Sequence, residues 1–175
     1  MATIRPATVD DAEAIAQLHV RSWQVAYRGL VSDDYLDAID WRERAALWRG
    51  LADAGSPVRT AVVVDGGLTG FIAWGPVRDE DPADADQEVY AVYVDPERWR
   101  SGYGRLLLTH ALATVRDSAA VILWVLAGNH RARAFYERHG LSADGATKII
   151  SLGAADLEEV RYRRPPSGQA APSER

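Results

Sequence analysis

Two glycines standing where a strand gives way to a helix constrain this chain more than any other feature. The β-rich run 88–94 stops at Asp95-Pro96, where proline supplies no ladder donor. After Glu97-Arg98-Trp99-Arg100-Ser101, the segment Gly102-Tyr103-Gly104-Arg105 opens a helical pattern over residues 104–117, with Leu106, Leu107, His110, Ala111 and Ala113 on its inner side. A strand-loop-helix junction of this kind aims successive backbone N–H groups and the positive helix end at one point, and glycine lets an anion approach the main chain closely. A pyrophosphate is the expected guest, with Arg100 and Arg105 adding charge-assisted bonds from the rim. The dinucleotide fingerprint needs a third glycine where Leu107 stands, and a P-loop needs Gly-Lys-Ser/Thr in a chain whose only lysine is Lys148. What remains is a pyrophosphate-bearing ligand that is neither NAD nor ATP in its usual cradle, and coenzyme A fits.

Elsewhere the pattern alternates strands and helices. Residues 4–7 read as a strand, and Thr8 with Asp11 gives a capping-box start for a helix with Ile15, Ala16, Leu18 and His19 on one face. Trp23 and Tyr27 share a helical face, Ser32-Asp33-Asp34 opens a short turn, and Asp40 caps a helix expected to reach Asp53. Residues 59–64 and 68–74 form a hairpin around Asp65-Gly66-Gly67, because glycine accepts the positive φ of a tight connection. A polar, acidic loop spans residues 77–86, a buried strand 121–126, a short helix 129–138 stopped by His139-Gly140, and two last strands 146–152 and 157–163. This order implies a mixed α/β (α+β) sheet with helices on both faces, in one domain over residues 1–164. The Pro/Ser/Gly/Ala-rich stretch 165–175 is expected to be a disordered tail.

Composition narrows the function classes. Apolar residues are 47% and charged residues 26%, the balance of a soluble globular protein. A net charge of −5 argues against nucleic acid as partner. No run approaches the roughly 18 to 20 apolar residues that span a bilayer, and no signal peptide is visible, so no membrane partner and a cytoplasmic location are expected. The absence of cysteine removes thiolate metal sites and a cysteine nucleophile, and His19, His110, His130 and His139 lack ligand spacing, so no metal is expected.

The run Val92-Tyr93-Val94-Asp95-Pro96 into Gly102-Tyr103-Gly104-Arg105-Leu106-Leu107-Leu108, followed by Leu123 to Leu126 and then Asn129-His130-Arg131-Ala132-Arg133-Ala134-Phe135-Tyr136-Glu137-Arg138-His139-Gly140-Leu141, resembles the GNAT superfamily of N-acetyltransferases. The likeness extends more loosely over residues 2–164. It implies a mostly antiparallel sheet of about six to seven strands. It also implies acetyl-CoA as co-substrate, and transfer of the acetyl group to an amine of a small molecule or a peptide N-terminus by direct transfer in a ternary complex. By resemblance, Val92, Tyr93 and Val94 meet the pantetheine arm and thioester through main chain, the loop Arg100, Ser101, Gly102, Tyr103, Gly104 and Arg105 cradles the pyrophosphate, and Asn129 binds the pantetheine arm. Tyr136 is the expected general acid: a phenol near pKa 10 is protonated at neutral pH and can donate to a thiolate whose acid lies near about 8.5 if cysteine is a guide. Glu88 is the expected general base, with Asp86 and Asp95 as alternatives. Trp99 stands where the family commonly has Arg or Gln, which leaves the phosphate to the backbone cradle and to Arg98 or Arg100. The acidic residues Asp79, Glu80, Asp81, Asp84 and Asp86, with Trp23 and Tyr27, suggest a mouth that draws a cationic acceptor. The alternative from another class is a catalytically silent acyl-CoA-binding sensor or scaffold. A homodimer is compatible with the chain.

Overall fold

The computed structural model describes residues 1–53, 55–79 and 86–167. Strand β1 (Thr3–Pro6) runs into a 3-10 turn, Val9–Asp11, that leads to helix α1 (Ala12–Ala26). Asp11 fixes this entry: its carboxylate accepts from the Thr8 amide at 2.8 Å and pairs with Arg5 at 2.7 Å. The Arg5 hydrogen bonds hold the Asp11 carboxyl down at about 2. Helices α2 (Asp33–Asp37) and α3 (Trp41–Leu51) follow, and the Asp40 carboxylate caps α3 by accepting from the Arg42 amide at 2.8 Å. Then come β2 (Arg59–Val64), β3 (Leu68–Pro76), β4 (Gln87–Val94), α4 (Tyr103–Leu112), β5 (Val121–Leu126), α5 (His130–Glu137), β6 (Ser142–Leu152) and β7 (Ala155–Arg164).

The seven strands lie in the order β1-β2-β3-β4-β5-β7-β6, antiparallel throughout except for the parallel pair β4–β5. Period-two alternation divides the core between the two faces. Ala61, Val63, Ile72 and Trp74 meet Leu107, Leu108 and Ala111 of α4 on one face, joined by Leu123, Val125 and Tyr136. Val62, Phe71 and Ala73 meet Ile15, Leu18, Ala45 and Trp48 of α1 and α3 on the other. The expected mixed sheet with helices on both faces is therefore present.

Two boundaries differ from the sequence reading by four residues or more. Helix α4 ends at Leu112 rather than Asp117, because Thr114 turns its hydroxyl back to the Ala111 carbonyl at 2.8 Å and receives the Trp74 indole N–H at 3.1 Å. Strand β6 starts at Ser142 rather than Ala146, since Ser142 and Ala143 pair with Arg163 and Tyr162 ahead of a register shift. Past β7, the Ser167 amide donates to the Asp117 carbonyl at 2.8 Å; residues 168–175 of the expected tail lie outside the described residues.

Candidate active site

Strand β4 pairs with β3 along its whole length, but with β5 only at Gln87↔Val121 and Glu88↔Ile122. Beyond that point β5 continues alongside β7 up to Leu126, so the two parallel strands part and residues 89–94 have no strand partner on the β5 side. A register shift opposite Ala73/Trp74, between Val89 and Ala91, adds to the divergence. Main-chain groups left without a ladder need partners, and an extended chain carrying amides is the natural complement to such an edge. The cleft opened here is lined by Val89 to Val94 from β4, Trp124, Val125 and Leu126 from β5, Ser22, Ala26 and Tyr27 from α1, Asn129, Arg131, Ala132 and Tyr136 from the α5 region, Trp99, and Glu159 from β7.

At the cleft's end the chain makes the glycine loop. Asp95 stops β4 and accepts from the Glu97 amide at 3.1 Å, while Arg21 of α1 pairs with it at 2.9 Å. Arg100 and Gly102 both take left-handed conformations, φ 66° and 87°, and Gly102 is the N-cap of α4. Such turns point successive amides to one side and form an anion-binding concavity at the helix start. A left-handed arginine is uncommon, so the fold holds this residue against its own preference. Gly104 has a different role: a Cβ there would meet the Phe135 ring at 3.4 Å, so its bareness lets α4 approach α5. The Tyr103 hydroxyl donates to Asp65 at 2.6 Å, which ties the loop to the β2–β3 turn and leaves only Tyr103's main chain for a ligand. Arg100, Ser101, Gly102 and Arg105 are exposed beside the cleft rather than in its wall.

Trp99, the departure from the family pattern, has a double contact. Its indole N–H donates to the Val94 carbonyl at 2.8 Å, and its ring face carries the Arg131 guanidinium, 3.3 Å from the centroid. Desolvation, aided by the nearby Arg100 charge, lowers the Arg131 pKa from its ordinary value. The sequence reading assigned compensation for Trp99 to Arg98 or Arg100 and missed Arg131. Its only signal was its place two residues after the helix cap.

Tyr136 is buried on α5 and lines the cleft. Among the described residues its hydroxyl has no hydrogen-bond partner, and burial pushes the phenol well above its ordinary value, so it is protonated at neutral pH. Asn129 is buried as well; its side-chain oxygen caps α5 by accepting from the Ala132 amide at 3.1 Å, so the amide nitrogen is the part left for a ligand. Behind Tyr93 lies an aromatic network. The Trp23 indole N–H donates to the Tyr93 hydroxyl at 2.8 Å, and the Tyr27 and Tyr93 hydroxyls share a bond of 3.0 Å. Burial raises both phenols. Tyr27 reaches the cleft wall, whereas Trp23 stays behind it. Beneath them His19 sits among Trp23, Trp48, Phe71 and Tyr93, its Nδ1 accepting from the Trp48 indole at 3.4 Å, and burial pulls its pKa down to about 3.

The structure does not bring Glu88 to the cleft. Its carboxylate is 1% exposed, accepts from the Arg78 amide at 3.0 Å, and is clamped by the Arg78 guanidinium at 2.5 Å. The partner that removes it from solvent is ten residues away in sequence, beyond the reach of any strand pattern. The acidic mouth is also reassigned where it is described. Asp79 accepts from the Trp124 indole at 3.0 Å and pairs with Arg161 at 2.9 Å, while Asp86 accepts from the Ala120 amide at 2.8 Å. Glu80, Asp81 and Asp84 lie outside the described residues. The carboxylate that does line the cleft is Glu159, which the sequence reading passed over. No group of three or more metal-ligating side chains occurs among the described residues, nor any helix long and apolar enough to cross a membrane.

The chain thus carries a sheet split at a parallel pair, a left-handed turn at the split and a phenol on the helix beside it. Residues 12–141 match the model of the acetyltransferase (GNAT) family. The chain is 33% identical over 131 residues to the uncharacterized N-acetyltransferase YuaI of Bacillus subtilis, covering 74% of each chain. It is 31% identical to the probable N-acetyltransferase Rv2775 of Mycobacterium tuberculosis, covering 91% of each. Among solved structures, the PaiA N-acetyltransferase of Thermoplasma acidophilum in complex with coenzyme A superposes with a TM-score of 0.72 at 18% identity, over 94% of this chain and 99% of that one. The chain belongs to the GNAT acetyltransferase family and is an acyltransferase.

Proposed function

We propose that the β4–β5 cleft binds acetyl-CoA and that the protein moves the acetyl group directly to an amine of a small molecule or a peptide N-terminus within a ternary complex. The reading is carried by the edge of β4 left without a β5 partner beyond Glu88, which lines one cleft with a protonated phenol that has no hydrogen-bond partner among the described residues. The pantetheine arm, with its two amides, lies along residues 89–94 as an added strand, helped by the Asn129 amide nitrogen. The pyrophosphate meets the amides at 102–105, and Arg131, presented by Trp99, supplies the side-chain charge that Trp99 itself lacks. A β4 amide polarises the thioester carbonyl as the neutral amine attacks its carbon. The C–S bond then breaks, and Tyr136 donates its proton to the departing thiolate and recovers one from the newly formed amide nitrogen through water. Glu88 has no part in this reading, because both of its oxygens face Arg78.

The observation against a silent acyl-CoA binder is Tyr136: a scaffold gains nothing from a phenol in the cleft wall that bonds no side chain or main-chain group among the described residues, whereas an acid needs one. Residues 1–164 carry the activity as one unit. The test has two arms. CoA should raise the Tm by mass action, and thiol release from acetyl-CoA should depend on an added amine when alkyl amines, amino acids, aminoglycosides and short peptides are screened. A shift without amine-dependent thiol release would favour the silent binder. No shift would remove the cofactor assignment.

A further inference from the structure

On the acceptor side of the cleft the protein's own side chain occupies a cation site. Lys148, the only lysine in the chain, extends from β6 so that its ammonium lies 4.0 Å from the Trp124 ring centroid and 3.5 Å from Glu159 Oε2. The strand register explains the convergence. Lys148 and Leu126 both lie opposite Glu159, and Trp124 lies opposite Arg161, so Trp124, Glu159, Arg161 and Lys148 share one face of the β5-β7-β6 layer. Two of them, Trp124 and Glu159, also line the cleft that holds Tyr136.

The site is held from outside. The Trp124 indole N–H donates to Asp79 at 3.0 Å, Asp79 pairs with Arg161 at 2.9 Å, and Arg161 bonds Asp144 at 2.8 Å, which fixes the ring for a cation over its face. Glu159 is mostly buried, its side chain 17% exposed, and burial raises its pKa while the Lys148 ammonium opposes the shift. A half-buried carboxylate beside a fixed indole is stabilised by a compact cation between them. Of the 20 basic residues in the chain, the one ammonium is the one placed there.

We propose that Trp124 and Glu159 form an ammonium subsite for the acceptor, and that the Lys148 ammonium is its resident occupant, displaced when a cationic acceptor binds. The proposal rests on the acetyltransferase reading of the cleft and names its substrate class. A group held by a carboxylate and a ring face stays protonated, so it cannot be the nucleophile, which must be neutral at the thioester. The acceptor therefore carries two amino groups on an alkyl chain, one anchored as ammonium at Glu159 and one reacting beside Tyr136: a small diamine or polyamine.

The experiment compares kcat/KM for 1,4-diaminobutane and 1-aminobutane, which differ by the second amino group, by thiol release from acetyl-CoA. The wild type should favour the diamine by about tenfold or more, the ratio worth about 1.4 kcal/mol. Glu159→Gln should bring the ratio to within about twofold of unity, by raising the KM for the diamine. Lys148→Met keeps the stem's packing, removes the competing ammonium, and should lower the KM for the diamine by about threefold or more. Each variant is checked for an unchanged Tm shift with CoA, which reports the folded cofactor half independently of the acceptor. Equal kcat/KM for the two amines in a wild type that binds CoA, or a preference that survives in Glu159→Gln, overturns the subsite and leaves the acetyltransferase reading standing. A wild type without a CoA shift overturns that reading, and the subsite with it.

Discussion

The two halves of the cleft are built by different means. The half proposed for the cofactor is mainly backbone: an edge of β4 that β5 leaves beyond Glu88, a loop with two left-handed residues, and a helix start, all within residues 87–112. The half proposed for the acceptor is made of side chains from α1, β5 and β7, with Lys148 of β6 against Trp124 and Glu159, and it puts Tyr27 and Glu159 in the lining of one cleft though more than a hundred residues separate them in sequence. A site made from main chain leaves a local trace, because glycine, proline and strand patterns govern the backbone directly. A site made by strand adjacency leaves none, because its members become neighbours only once register is set.

The largest expected effect tests whether the cofactor half also holds the chemistry. Tyr136→Phe keeps the ring packed and removes the proton donor; kcat should fall by roughly 10²- to 10⁴-fold with CoA affinity nearly unchanged. Glu88→Gln in the same steady-state assay should keep kcat within about threefold, a far smaller loss than general-base removal brings. A hundredfold loss there would return Glu88 to the mechanism.

Acid should destabilise the fold through His19, packed beneath Trp23 and Tyr93. Burial holds His19 at about 3 in the folded protein, while an unfolded histidine titrates near about 6.5. Between those values the unfolded chain binds the extra proton, so stability rises with pH and is lost as pH falls through this window, by at most about 1.4 kcal/mol per pH unit. Urea unfolding at pH 7, 5.5 and 4.5 measures the slope. His19→Phe, which does not titrate, should flatten it, and an unchanged slope in that variant would assign the acid sensitivity elsewhere.

A smaller effect probes the loop. Gly102→Val forces a β-branched residue to φ 87° and should cost about 1–2 kcal/mol of stability. It should also weaken CoA binding by about tenfold, because the amides at the start of α4 no longer converge. Titration calorimetry showing CoA affinity equal to wild type would mean that the loop shapes the chain without holding phosphate.

Legibility followed the same division. Residues 59–64 and 121–126 were readable as strands to their last residue, since β-branched runs bounded by turn residues have few other outcomes. The glycine loop was readable because only a tight reversal or an anion needs its pattern. The end of α4 was not, because its apolar period continues past Leu112 while Thr114 and Trp74 turn the chain aside. Nor was the fate of Glu88 or the role of Glu159. Alone, one looks like a solvent-facing strand carboxylate and the other like half of an ordinary acidic pair, and only Arg78 in the first case and Trp124 with Lys148 in the second give each its environment.

On the proposed reading, the edge of β4 that β5 leaves beyond Glu88 receives the cofactor. Hydrogen exchange with and without CoA reads that edge amide by amide. Amides within residues 89–94 and 102–105 should slow by about an order of magnitude on binding, while the β6–β7 hairpin should not change. Protection confined to β6–β7 or to α1–α3, with residues 89–94 exchanging as before, would contradict it.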